Sequence, residues 1–186
     1  MADISFPDPA LIVIGVIHSE ESTLDSAIEK LTAVIGPLRR VGESFPFRWT
    51  DYYEEEMGAD LIRCFLASER LVERQWLVEL KLLTNRVEKE LAAEDGSRRI
   101  NLDPGLMTLE NFVLATTKNR GHRIYLRDGV FAEVTLMYVR GTFEALPWTF
   151  PDYRSDEVQG VLKILRDEYY QLLRSADPEV ITEVKV

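Results

Sequence analysis

His122, Glu133 and Trp148 come nearest to a chemical constellation in this chain, because two turn signals set them against one another. Asp128-Gly129 and Arg140-Gly141 read as two-residue hairpin turns, and such turns fix the register of the strands they join. Counting outward from the first turn pairs Arg127 with Val130, sets Ile124 opposite Glu133 and leaves His122 diagonal to it. Counting from the second sets Trp148 across from Glu133. A carboxylate beside an imidazole can serve as a general base with its orienting group, or supply two ligands to a divalent ion. If helices cover that face, Glu133 must be paired or neutral, since a lone buried carboxylate is costly. If water covers it, the pair is a polar cross-strand couple worth roughly 0.2–1 kcal/mol.

Asp103 is the third catalytic candidate. Asp103-Pro104-Gly105 reads as a turn closing a short strand at 99–102, which would put the carboxylate at a strand end, where ligands collect in α/β architectures. The same carboxylate also reads as an ordinary turn former. Lys118, Arg120, Arg123 and Arg127 fall within ten positions of a chain whose net charge is −10, a local field that can attract a small anion or simply form surface salt bridges. Two aromatic loops, 45–53 and 148–154, carry Asp51, Tyr52, Asp152 and Arg154, and can face each other across a cleft or cover the sheet edges. The expected ligand-binding set is therefore Asp51, Tyr52, Lys118, Arg123, Trp148, Asp152 and Arg154, with His122, Glu133 and Asp103 as the catalytic set.

Several chemistries are argued against. The chain has no phosphate-binding Gly-x-x-x-x-Gly-Lys-Ser/Thr loop, no Gly-x-Gly-x-x-Gly after its first strand and no Gly-x-Ser-x-Gly elbow. Cys64 is the single cysteine, so it can form no intrachain disulfide and no cysteine zinc cage, and a buried structural role outweighs a nucleophilic one. With two histidines, a metal site would lean on carboxylates, favouring magnesium or manganese, yet no spacing compels a metal or a cofactor. The acidic balance opposes duplex nucleic acid as a partner. No apolar stretch approaches the roughly 20 residues of a membrane span, and the run 10–17 follows acidic residues, so a cytoplasmic, membrane-free protein is expected.

Around the candidate residues, hydrophobic periodicity sets out the elements. Residues 10–19 form an unbroken Ile/Val-rich run, the pattern of a central strand. Ser22 and Thr23 can cap a helix carrying Leu24, Ala27, Ile28, Leu31, Val34 and Ile35, which Gly36-Pro37 stops. Weaker extended patterns follow at 38–45 and 61–72, then a helix over about 75–93. Thr108 caps an expected third helix to about 117, the meander occupies 122–148, and a last helix starts near Ser155. In the middle strand, Val130, Ala132, Val134, Leu136 and Tyr138 read as one apolar face. The fold class is α+β: a ferredoxin-like β-α-β-β-α-β first half, extended by a helix, a three-stranded antiparallel meander and a C-terminal helix. One domain is expected over 1–177, with a short tail at 178–186 that is mobile or docks as an edge strand.

Specific strings run through nearly the whole chain: Ile14-Gly15-Val16-Ile17, Thr50-Asp51-Tyr52-Tyr53, Glu56-Met57-Gly58, Asn101-Leu102-Asp103-Pro104-Gly105, Ala115-Thr116-Thr117-Lys118, His122-Arg123-Ile124-Tyr125-Leu126, Glu133-Val134-Thr135-Leu136 and Pro147-Trp148-Thr149-Phe150-Pro151-Asp152-Tyr153. In these the chain resembles the prokaryotic family catalogued as domain of unknown function 4416, a resemblance that brings no assigned activity. The residues themselves point to a protein binding a small anionic or nucleotide-like ligand in a polar and aromatic pocket. There Glu133 or His122 would act as base, Lys118 and Arg123 would neutralise charge, and Asp103 would orient a group or hold a cation. The competing class is a noncatalytic interaction or assembly protein whose polar loop residues are structural.

Overall fold

The computed structural model describes residues 3–175 and 178–185. The expected domain boundary at 177, and Val186 at the end of the tail, lie outside the described residues. Strand β1 (Ala10–His18) is buried along its whole length. The cause is its position, with β3 (Ile62–Val72) on one side, β4 (Ile100–Met107) on the other, and helices over both faces. Ala10, Ile12, Ile14 and Val16 pack with helices α1 (Glu21–Ile35) and α3 (Leu77–Glu90), while Leu11 and Val13 face α4 (Asp156–Leu173). An unbroken apolar run is what such two-sided burial requires.

From Ala10 to Met107 the elements run β1, α1, β2 (Leu38–Pro46), a one-turn helix α2 (Glu54–Met57), β3, α3 and β4, so a helix that the expected string did not contain separates β2 from β3. The full strand order is β2-β3-β1-β4-β5-β7-β6, antiparallel throughout, where β5 is Asn111–Thr116, β6 Ile124–Arg127 and β7 Val130–Val139. β8 (Thr142–Ala145) pairs with β7, and β9 (Val180–Ile181) lies parallel to the end of β3. Among the described residues the result is a mixed α/β fold with a nine-stranded sheet and four α-helices.

Four further sequence expectations need correction. The helix after Thr108 is strand β5: Phe112 and Leu114 enter one core, Val113 and Ala115 the other, so the run alternates between two buried faces. Short apolar runs of this kind satisfy helical and extended spacing alike. Thr108 makes the β4–β5 turn instead, its hydroxyl accepting from the Glu110 and Asn111 amides. The helix α1 starts at Glu21 without a side-chain cap, so Ser22 and Thr23 lie within it. Asp103-Pro104-Gly105 is not a turn but the middle of β4. β5 pairs with β4 only from Gly105 to Met107, so Pro104 stands just before that partner joins, a place that tolerates a missing N–H. Gly105 is needed for close approach, since a Cβ there would lie 2.7 Å from Phe112 Cζ and 2.8 Å from the Val113 carbonyl oxygen.

The fourth correction concerns β7. Both hairpin turns are as expected, with positive φ at Asp128, Gly129, Arg140 and Gly141 and pairs Arg127–Val130 and Val139–Thr142. A shift near Leu126, however, brings Ile124 opposite Ala132 rather than Glu133. A second shift, against β5, leaves Thr135 as an extra residue between the pairs Val113–Val134 and Phe112–Leu136. An extra residue inverts the alternation beyond it. Val130 and Ala132 therefore face α1 and α3, whereas Leu136 and Tyr138 face α4, so the single apolar face is split in two.

Candidate functional site

The outer edge of β7 is covered by β6 at one end and by β8 at the other, which leaves Glu133 to Thr135 between them without a strand partner on that side. The flanking residues fill this notch. Trp148 Nε1 donates to the Val134 carbonyl at 2.8 Å, and Thr149 Oγ1 donates to the Thr135 carbonyl at 2.5 Å. β8 ends at Ala145, so Trp148 reaches back from a loop rather than from a paired strand. Its indole stacks on the His122 ring at 4.9 Å and 10°. His122 Nε2 lies 2.9 Å from Glu133 Oε2, and Arg123 Nε donates to the same oxygen at 2.7 Å. Arg123 also donates to the Lys118 carbonyl at 2.7 Å.

These contacts alter the expected chemistry. Glu133 is buried and charge-paired to Arg123, whose side chain is buried with it. Its Oε2 is shared between Arg123 and His122, while its Oε1 has no hydrogen-bond partner among the described residues. Arg123 is spent on Glu133 and a carbonyl, and Arg127 on Glu79 of α3 and on Asp128, so two of the four basic residues of the stretch are already paired. Lys118 remains exposed, its ammonium 3.3 Å from the Tyr52 hydroxyl and 4.6 Å from that ring's centre.

Leu114, the register partner of Glu133, also borders a hollow of about 90 Å³. The 47–53 segment contributes Phe47, Trp49, Thr50 and Tyr53 to its walls, and Phe150 to Tyr153 contribute from the other side. Arg63 and Asp103 complete the lining with Ile17. The two aromatic segments do face one another across one concavity, at the end of the sheet face that α4 leaves uncovered.

Arg63 is the residue that sequence reading missed. Its guanidinium is fully buried against the rings of Phe65 and Tyr153, at 4.9 and 5.1 Å, with Nη2 3.1 Å from Asp152 Oδ2. That contact is a charge contact without hydrogen-bond alignment: Nε and Nη2 have no hydrogen-bond partner among the described residues, and neither has the Tyr153 hydroxyl. Gly15 makes room for the arrangement, because a Cβ there would come within 2.7 Å of the Tyr153 hydroxyl and 2.8 Å of Arg63 Nη2. The available signal was one arginine inside the otherwise apolar strand segment Ile62-Arg63-Cys64-Phe65-Leu66-Ala67.

The electrostatics follow from burial. Desolvation raises the Asp152 carboxyl above its ordinary range, with Arg63 opposing the rise, and also raises the Tyr153 and Tyr53 phenols. Burial alone would lower Arg63, but Tyr153, Asp152, Asp103 and Tyr53 together hold it above its ordinary value. Asp103 accepts from Asn101 Nδ2 at 2.7 Å and lies 3.8 Å from the Lys81 ammonium, which also donates to the Leu102 carbonyl. Burial pushes the Cys64 thiol up to about 11, which makes it a poor nucleophile.

Of the remaining expected residues, Arg154 turns away from the hollow and donates to the carbonyls of Thr149, Leu146 and Pro147, so it braces the loop. Asp51 is exposed in a 3-10 turn and forms no side-chain ion pair among the described residues. Among the described residues no group of three or more His, Cys, Asp or Glu side chains is placed to hold a metal ion, and no helix is long and apolar enough to cross a membrane. A wider groove lined by Arg39, Ser68, Glu69, Glu168 and Leu172 contains, among the described residues, no buried unpaired polar atom, and its Arg39 is paired to Glu168.

A family model described as Domain of unknown function (DUF4416) matches residues 8–169. No curated protein and no solved structure matches the chain.

Proposed function

The chain belongs to the DUF4416 family, and we propose from its own geometry that it binds a small nucleotide-like ligand in the aromatic hollow. The ligand's ring lies among Phe47, Trp49 and Phe150, and its anionic group extends to Lys118 and the Tyr52 hydroxyl. The observation that carries this reading is the floor: Arg63 and Tyr153 are buried there with polar atoms that have no hydrogen-bond partner among the described residues, beside the Asp152 carboxylate. Buried polar groups left without partners are expensive in a fold and concentrate at functional sites. Asp103 and Asp152 supply the groups for acid–base chemistry on a bound ring, whereas Glu133, His122 and Arg123 form a paired cluster against Trp148 outside the lining. In the same reading β1, α1, β2, β3, α3 and β4 form a ferredoxin-like unit, supported by the antiparallel order β2-β3-β1-β4, and residues 108–175 extend its sheet within one domain.

Thermal melting against nucleoside monophosphates, nucleosides and inorganic phosphate tests the assignment, since a ligand bound to the native state raises its stability. A nucleotide should raise the melting temperature more than its nucleoside. Lys118→Ala should erase that difference, and Trp49→Ala should abolish both shifts. No shift with any ring-bearing compound would remove the ligand reading.

One observation favours the noncatalytic alternative. The edge strand β6 exposes Ile124, Tyr125 and Leu126, at 66%, 59% and 39%, whereas the opposite edge, β2, is interrupted by Arg39, Arg40, Glu43 and Pro46. Unprotected apolar edges invite strand addition. Light scattering of the wild type and of Tyr125→Lys measures it: assembly through β6 requires a wild-type oligomer that the lysine disperses.

A further inference from the structure

We infer that the group seated at the bottom of the hollow is a planar, N–H-rich cation of the amidinium kind, held by the carboxylates of Asp103 and Asp152. This deepens the ligand reading above and rests on it. The charged residues lining the hollow are one guanidinium and two carboxylates, Arg63 against Asp103 and Asp152. Their accessibility decides which of them meets a ligand. The Arg63 side chain, which forms part of the floor, is 1% exposed, while Asp152 is 9% and Asp103 30% exposed.

An entering anion would therefore face carboxylates before it could reach a guanidinium, and like charges in a low-dielectric site repel strongly. A donor-bearing cation meets acceptors instead. Asp103 Oδ2 is engaged by Asn101, but Oδ1 has only the Lys81 ammonium, 3.8 Å away and also bonded to the Leu102 carbonyl. That oxygen can accept an N–H from the hollow. Burial raises Asp152 toward its protonated form, and a positive neighbour would stabilise its carboxylate. The walls agree with this polarity, because aromatic faces attract cations through their quadrupole. Their flat surfaces and the volume of about 90 Å³ suit a planar group better than a hydrated tetrahedral anion. The hydroxyl of the buried Tyr153, without a hydrogen-bond partner among the described residues, is a further polar atom in the lining.

Three probes of one shape and different charge test the inference on the intact chain: benzamidine, benzamide and benzoate. Titration calorimetry should show benzamidine binding at least tenfold more tightly than benzamide, with benzoate weakest. Asp103→Asn, at a half-exposed position, should lower benzamidine affinity at least tenfold while leaving benzamide within about twofold. Benzoate binding as tightly as benzamidine would overturn the inference and leave the ligand reading standing. Equal affinity of benzamidine for wild type and Asp103→Asn would do the same. If none of the three probes binds while nucleotides still raise the melting temperature, the polarity assignment falls alone. If nucleotides fail as well, the reading on which it rests falls with it.

Discussion

Removing the carboxylate from Asp152 would leave the Arg63 guanidinium buried against two aromatic rings without its nearest countercharge. Breaking a buried pair from one side costs about 3–5 kcal/mol, whereas replacing both partners by apolar groups of similar volume is often neutral. Asp152→Ala is therefore expected to lower unfolding free energy in urea by that amount, and the double variant Arg63→Met, Asp152→Leu to recover most of it. A single variant within about 1 kcal/mol of wild type would mean that water reaches Arg63, since only exposed pairs are worth so little. At this scale the sequence was partly legible. Asp152 stood out because it shares a loop with aromatics, and Asp103 because it precedes Pro-Gly. Arg63 did not, because its role depends on Gly15 and Tyr153, 48 and 90 positions away, which become neighbours only when β1 pairs with β3 and the 3-10 turn at Asp152–Arg154 packs onto them.

The notch in β7 makes its own prediction about an element. Trp148 and Thr149 stand in for a strand by bonding the Val134 and Thr135 carbonyls. Trp148→Ala removes the indole donor and the stack on His122, so the segment joining β6 and β8 should open locally. Hydrogen exchange at residues 133–136 is expected to accelerate at least tenfold while β1 amides keep wild-type protection, because local opening is distinct from global unfolding. Uniform acceleration across β1 and β7 would contradict a local role. The turns that place these residues were readable from Asp128-Gly129 and Arg140-Gly141, since a two-residue turn with positive φ has strong residue demands. The shifts at Leu126 and Thr135 were not, because a bulge arises from how neighbouring strands fit and leaves no fixed residue signature. The misread helix at 108–117 has the same origin: Phe112 to Ala115 are buried on both faces, and two-sided burial erases periodicity.

For the molecule as a whole, acid sensitivity reports how completely the sheet end is sealed. His18 is 1% exposed, neither ring nitrogen has a hydrogen-bond partner among the described residues, and burial lowers its pKa below 6.5, with Glu21 opposing. The folded state then binds fewer protons than the unfolded one in the window below 6.5. His18 thus costs nothing above that window, and stability is lost as pH falls through it. Between pH 7.5 and 5.5, the wild type should lose more unfolding free energy in urea than His18→Leu, a comparison that cancels the opposite contributions of Asp152 and Glu88, which burial raises. Equal losses would show that His18 protonates as freely in the folded protein as in the unfolded chain. By itself the amino-acid order determined the central strand, the two long helices and the hairpin turns, because each follows from local spacing, whereas His122, Glu133 and Trp148 meet through register shifts and a loop that counting from the turns does not give. Only the tertiary structure decided that Glu133 is neutralised by Arg123 and that a buried arginine floors the aromatic hollow. Burial and charge pairing depend on which distant segments converge, and that convergence is written in packing rather than in any stretch of neighbouring residues.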